Sequence, residues 1–350
     1  MNVAALVSGG VDSSVVVYKL KEQGITPEIY YIMIGMDGSE CPKEEDIEIT
    51  SFIAKKYGCK MHVVNLQQEY FNTVVKYTID TVKKGLTPNP DIMCNRMIKF
   101  GAFNDKWGKD YDIIATGHYC TTTIVGEKKY LSTAKDTVKD QTDFLAQITY
   151  EQLKKTIFPI GEMMKSEVRA IAQKEKMPSA TRKDSQGICF LGKINYNDFI
   201  KKYLGEKPGN IVEFETGKIL GKHKGFWFHT IGQRKGLGLS GGPWFVVKKD
   251  IPENVIYVSQ GYDPITQYGM EMDLGAFHFI TEDVWGDFEG EKEIMFKIRH
   301  TPEFTKGWIS KQNDKYHVRF ANKIQGVAQG QYGVIYDKEC HLCYGSGMII

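Results

Sequence analysis

The sequence predicts an α/β domain built on a parallel sheet, followed by two smaller, mainly β domains. Three observations carry that expectation. Through the first 200 residues, short apolar strands alternate with stretches of helical periodicity. Beyond them, Gly-rich turns separate brief apolar runs, the grammar of an antiparallel barrel or sandwich. At about 150 residues per domain, 350 residues allow two or three domains.

Residues 2–7 read as a first apolar strand, and 12–23 as a helix with Val15, Val16 and Leu20 on one face. Strands follow at 28–34, 61–65 and 111–116, and helices at 43–57, 67–84, 95–107 and 165–176. Val168, Ile171 and Ala172 mark the last helix as core packing. Nine short strands are expected from Ile211 to Tyr336, among them 244–248, 294–299, 308–311 and 316–320. A charge switch near Asp250 and the loop 261–269 suggest units at 1–200, 201–265 and 266–350.

Composition narrows the class. Hydrophobic residues at 42% and charged residues at 25% are ordinary globular values. No apolar run is long enough to span a bilayer, and the N-terminus lacks the form of a secretory signal, so no membrane partner is expected. Seven scattered cysteines fit a reducing cytoplasm rather than a disulfide scaffold. The net charge of +2 hides a segregation: residues 193–249 hold 11 Lys/Arg against 4 Asp/Glu, whereas 250–293 hold 11 Asp/Glu and only Lys292. One surface built to meet a polyanion explains that pattern.

Three local constellations bear chemistry. In Ser8-Gly9-Gly10-Val11-Asp12-Ser13-Ser14, between the first strand and the first helix, adjacent glycines and a helix N-terminus present N–H groups to an anion. Asp12 makes sense there if Mg²⁺ bridges it to phosphates. The second is Thr87-Pro88-Asn89-Pro90-Asp91-Ile92-Met93-Cys94-Asn95-Arg96. Asn95 is expected to cap the following helix, leaving Cys94 at its N-terminal end, where the dipole and Arg96 favour a thiolate. Asp91, three residues earlier, is a candidate acid/base. In the third, Cys189 of Gly187-Ile188-Cys189-Phe190 follows a polar segment suited to an exposed thiol.

The glycine loop resembles the SGGxDS loop of N-type ATP pyrophosphatases, which adenylate a substrate and release pyrophosphate. Together with TPNPDIMCNRMIKFG, Lys139-Asp140-Gln141, GICF and TIGQRKGLG in that order, the chain is similar to the tRNA-specific 2-thiouridylases over nearly its whole length. That resemblance implies a Rossmann-like nucleotide-binding domain, a central tRNA-binding domain and a C-terminal β-barrel. It implies ATP-dependent replacement of oxygen by sulfur at C2 of the wobble uridine, position 34, of Lys, Glu and Gln tRNAs. Cys189 would carry a persulfide supplied by a cysteine desulfurase or sulfur-relay protein. Cys94 would be the nucleophile that ends in a transient disulfide with Cys189, although hydrosulfide release remains open.

Carried over residue by residue, the resemblance places nucleotide contacts at Leu6, Val7, Ser8, Gly9, Gly10, Val11, Asp12, Ser13, Met33 and Gly117. Leu6-Val7 stands where the family usually has Gly-Met, and the family's Trp-containing string after Met33 is absent. Asn89 and Pro90 would seat the target base beside Asp91. Lys139, Asp140, Gln141, Arg299 and His300 would meet tRNA. So would Gln233, Arg234 and Lys235, whose loop has the cations and glycines to follow a phosphate backbone. A small-molecule ligase would leave both cysteines and the basic segment idle; an RNA-binding protein or redox sensor that has lost catalysis would be favoured by unmodified activity after Cys94→Ser and Cys189→Ser. His118 reads as structural, and Cys340-His341-Leu342-Cys343 lacks the second ligand pair that zinc requires, so no resident metal site is expected.

Overall fold

The protein is represented by a computed structural model that describes residues 1–34, 43–184, 195–260, 269–298, 300–324 and 327–350. Its first domain is laid on strands β1 (Val3–Leu6), β2 (Glu28–Met33), β3 (Met61–Asn65) and β4 (Ile113–Ala115). After a hairpin of β5 (Thr121–Val125) and β6 (Lys128–Ser132) comes the two-residue β7 (Thr156–Ile157). The sheet order is β3-β2-β1-β4-β7, and every pair is parallel.

Side chains of β1 alternate between two apolar clusters, Ala4 and Leu6 into one and Val3 and Ala5 into the other. Burial on both faces is why these strands read as unbroken apolar runs. The helix Val11–Glu22 covers one face with Val15, Val16 and Leu20 fully buried. On the other face lie two longer helical runs, 67–83 and 90–106, each widened by a π-helical segment, Phe71–Val75 and Asn95–Ala102.

The second unit is a four-stranded sheet of β8 (Gly209–Glu213), β9 (Ile219–His223), β10 (Phe245–Asp250) and β11 (Val255–Ser259), ordered β10-β11-β8-β9. Only β11–β8 is parallel. The helix Tyr196–Leu204 leads into it but buries Phe199 and Ile200 in the core of the first domain.

The third unit contains β12 (Gly269–Phe279), β13 (Lys292–Lys297), β14 (Thr305–Gln312), β15 (Lys315–Ile324), β16 (Tyr332–Tyr336) and β17 (Leu342–Ile349). They run β12-β15-β14-β13-β16-β17, and β12 pairs β17 to close a six-stranded barrel. That decides between barrel and sandwich. The sequence reading missed β17 because Gly345, Ser346 and Gly347 interrupt its apolar alternation. A Cβ on Gly345 would lie 1.9 Å from the His278 carbonyl oxygen, so the strand crossing demands glycine. The hairpin β5–β6 belongs by sequence to the first unit, yet β6 pairs with β17 and extends the barrel sheet.

Candidate active site

The glycine loop leaves the carboxyl end of β1, where ligands of parallel sheets gather. Gly10 precedes the helix Val11–Glu22 in extended geometry, and no side chain caps that helix. Its first-turn N–H groups are thus left for an anion. The hydroxyls stiffen the loop from inside. Ser13 Oγ accepts from Ser8 N at 3.1 Å and lies 3.1 Å from the Gly10 carbonyl oxygen, while Ser14 Oγ donates to the same carbonyl at 2.8 Å.

Two glycines are set by close approach. Gly9 has φ +77°, and a Cβ there would lie 2.8 Å from Asp46 Cα. Gly117 follows β4, and its Cβ would meet Ser13 N at 2.9 Å and Asp12 C at 3.1 Å. Leu6 and Val7 are buried under the loop, while Met33 ends β2 half-buried.

Asp12 is held by residues that the sequence reading did not connect to it. Tyr119 Oη donates to Oδ1 at 2.9 Å, and Lys165 Nζ lies 2.6 and 2.8 Å from the two carboxylate oxygens. Lys165 also pairs with Asp184 at 2.9 Å, a carboxylate shared with Lys139 and Arg169, each at 2.7 Å. Burial opposes ionisation of Asp184, but Lys139 and Lys165 outweigh it and bring its pKa to about 2. Arg182 completes the ring, donating to the Gly9 carbonyl at 3.2 Å and pairing with Asp46 at 2.6 Å.

The Asn89–Cys94 segment corrects the capping expectation. Asn89, not Asn95, is the cap: its Oδ1 accepts from Ile92 N at 3.3 Å, and Pro90 occupies the first turn. Asn95 has helical dihedrals, so Cys94 sits a full turn inside the helix, where the terminal dipole has faded. Arg96 is turned to Gln147 Oε1 at 2.8 Å. Cys94 is 2% exposed, in one apolar cluster with Leu6, Ile98 and Leu145. Asp91 shares its helix one turn earlier. The π-helical widening begins immediately after Cys94, and Gln152 Nε2 satisfies the Arg96 and Phe100 carbonyls, both at 3.1 Å.

The barrel braces this segment from outside. Thr87 N donates to the Gln329 carbonyl at 2.9 Å and Gln331 Nε2 donates to the Pro88 carbonyl at 2.9 Å, while from within the first domain Tyr77 Oη accepts from Asn89 N at 3.2 Å. His118 is buried against Thr116 Oγ1 at 2.9 Å, and burial holds it well below the usual imidazole range. Cys189 and Arg299 lie outside the described residues.

Family models match the whole architecture. One described as a tRNA methyl transferase HUP domain matches residues 1–193, a tRNA methyl transferase PRC-barrel domain matches 197–260, and an aminomethyltransferase beta-barrel domain matches 271–349. A tRNA-specific 2-thiouridylase of Parabacteroides distasonis is 69% identical over 354 residues, covering 100% of this chain and 99% of its own. Those of Porphyromonas gingivalis and Bacteroides fragilis are 62% and 60% identical, again over 100% of this chain and 99% and 100% of theirs. The chain belongs to the tRNA-specific 2-thiouridylase family.

For a 2-thiouridylase, the remaining sequence-derived residues divide by exposure. Arg234 and Lys235 are exposed on a middle-domain loop that Gln233 folds, accepting from Thr230 N at 3.0 Å and donating to the Lys235 carbonyl at 2.9 Å. His300 stacks on Phe144 at 4.6 Å and faces Asp143 at 3.3 Å; that hydrogen bond raises its pKa. Asp140 and Gln141 instead spend their polar atoms inside. Gln141 Oε1 accepts from Tyr119 N at 3.0 Å, and Asp140 pairs with Lys297 at 3.1 Å. Among the described residues, no helix is long and apolar enough to cross a membrane.

Proposed function

We propose that this protein thiolates C2 of the wobble uridine at position 34 of Lys, Glu and Gln tRNAs, in the cytoplasm, with ATP as activator and a cysteine persulfide as sulfur source. The observation that carries the reading is 69% identity to a named 2-thiouridylase along the whole chain, with the loop that family requires sitting at the sheet's carboxyl edge.

ATP fits the loop: unpaired first-turn N–H groups, the Ser8 and Ser13 hydroxyls and the nearby Lys165 and Arg182 cations form an anion cradle. Leu6, Val7, Gly9, Gly10, Val11, Met33 and Gly117 would complete it. The uridine O2 attacks the α-phosphorus, and pyrophosphate leaves along the loop. The adenylated oxygen is then a good leaving group.

The terminal sulfur of a Cys189 persulfide, loaded by a cysteine desulfurase or relay protein, attacks C2, and AMP departs. The Cys94 thiolate next attacks the Cys189 sulfur, breaking the S–S bond so that the outer sulfur stays on C2. A Cys94–Cys189 disulfide forms, and an external dithiol restores both thiols. Asp91 serves proton transfer, and Asn89 and Pro90 seat the base. Gln233, Arg234, Lys235, Arg299 and His300 form the proposed tRNA contacts, whereas Lys139, Asp140 and Gln141 are engaged by Asp184, Lys297 and Tyr119.

Mg²⁺ fits less well. Asp12 is the loop's carboxylate, but Lys165 holds both its oxygens, and no group of three or more His, Cys, Asp or Glu among the described residues is placed to hold an ion.

Nucleoside mass spectrometry of tRNA incubated with ATP, a persulfide donor and the protein tests the reading. The expected product is 2-thiouridine at position 34, absent with Cys94→Ser although that variant still binds tRNA. Full thiolation by Cys94→Ser would remove Cys94 from the chemistry.

A further inference from the structure

A fully buried ion pair joins the barrel to the first domain, and nothing in the reaction sketched above uses it. Lys297, the last residue of β13, and Asp140 have side chains 1% and 2% exposed, with Nζ 3.1 Å from Oδ2. Lys297 Nζ also lies 4.2 Å from the centre of the Phe304 ring. The other Asp140 oxygen accepts from Ala134 N at 2.9 Å and Thr142 Oγ1 at 2.6 Å, so one carboxylate ties both ends of the 134–142 turn to the barrel.

Such a pair is a weak source of stability. Desolvating two ions offsets most of their attraction, and an apolar pair of similar volume is often as stable. What a buried pair does impose is register, because only one docking of the two domains satisfies both charges. Here that register leads to the nucleotide loop. Next to Asp140, Gln141 brackets Tyr119 with two hydrogen bonds, N to the Tyr119 carbonyl at 2.8 Å and Oε1 from Tyr119 N at 3.0 Å. Tyr119 Oη in turn donates to Asp12 at 2.9 Å. On the other side, Lys139 reaches Asp184, which shares Lys165 with Asp12.

We propose that Lys297 is a positioning residue for the adenylation step: from inside the barrel it fixes the 134–142 turn, and through Gln141 and Tyr119 it sets where the Asp12 carboxylate stands in the phosphate loop. The inference rests on the 2-thiouridylase reading. It gives the Lys139-Asp140-Gln141 tripeptide an internal role, each residue gripping a different element, and makes Lys297 of the barrel, 157 positions from Asp140 in sequence, part of the pyrophosphatase site.

The test uses the full-length protein and follows tRNA-dependent pyrophosphate release with ATP varied, alongside tRNA binding and thermal melting. Lys297→Met strands the Asp140 charge and should lower both melting temperature and kcat. Lys297→Met/Asp140→Asn removes both charges while the Asn Oδ1 can still accept from Ala134 N and Thr142 Oγ1, and should recover most of the melting temperature. Its kcat should nevertheless stay depressed, on the order of tenfold to hundredfold, as expected for misplacement of about an ångström remote from the chemistry. Its tRNA affinity should match the parent's. Recovery of kcat together with melting would reduce the pair to a structural role and overturn the proposal. Equal losses in tRNA affinity and kcat would overturn it too, by making the pair part of the RNA contact. If the single variant does not fold, the double variant carries the test alone. A parent that releases no pyrophosphate with tRNA sinks the 2-thiouridylase reading itself, and this inference with it.

Discussion

The phosphate loop at 8–14 and the basic loop at 228–238 both face polyanions in the proposed reaction, yet they are built in opposite ways. In the first, Ser8, Ser13 and Ser14 all bond within the loop, Asp12 is held by Tyr119 and Lys165, and a Cβ on Gly9 or Gly117 would meet backbone at 2.8 or 2.9 Å. In the second, Arg234 and Lys235 stand exposed with no ion pair among the described residues, on a loop that Gln233 folds. Chemistry on an α-phosphorus needs donors fixed before the substrate arrives. Holding an RNA backbone needs charge density and tolerates adjustment. Geometric insults should therefore be severe at the first loop, and charge removal mild and salt-dependent at the second.

The largest effect is expected from Gly117→Ala. A methyl there would press on the Ser13 amide at 2.9 Å and Asp12 C at 3.1 Å, and neither backbone atom can swing aside. The loop must shift by tenths of an ångström, so ATP-dependent pyrophosphate release should fall on the order of 100-fold while tRNA binding is retained. Activity within twofold of the parent would show that the loop is less rigid than its packing implies.

Lys235→Ala probes the other side. Loss of one phosphate contact should weaken tRNA binding across tRNA sequences and reduce the slope of log affinity against log salt by about one. Pyrophosphate release at saturating tRNA should hardly change. An unchanged salt slope would place the RNA elsewhere.

The same contrast explains what could be read from sequence. β1, β2 and β4 were legible because strands buried on both faces leave dense apolar runs. The glycine loop was legible because its glycines, serines and aspartate are contiguous. Its support was not: Lys165 lies 153 positions from Asp12 on a helix whose apolar face reads as ordinary packing, and Arg182 lies 173 from Gly9. No local pattern announces such pairs. The Cys94 helix was misread for a different reason. Asn89-Pro90 is itself a cap followed by a first-turn proline, a signal that competes with Asn95 six residues later. The hairpin β5–β6 also had its marks, β-branched residues at 121–125 and a Gly126-Glu127 turn. Its partner β17 is more than 200 residues away, so nothing local tied it to the barrel.

The mildest prediction concerns how the basic domain is seated. Lys249 carries its ammonium into the seam with the first domain, donating to the Gly85 carbonyl at 2.8 Å, while Ile251 packs over Gly85. Burial lowers its pKa from 10.5 to about 8. Because the folded-state value is depressed, the unfolded chain binds more protons between pH 8 and 10.5, and this group makes stability rise with pH across that window. Below pH 8 both states are protonated and the cost of burying the charge stands in full. Lys249→Met removes the charge at every pH. The melting temperature of the variant relative to the parent should therefore be most favourable near neutral pH and should decline as pH rises from about 8 to about 10. A difference that stays flat with pH would mean that the ammonium is hydrated where it sits, and that the seam between the two domains is wet rather than packed.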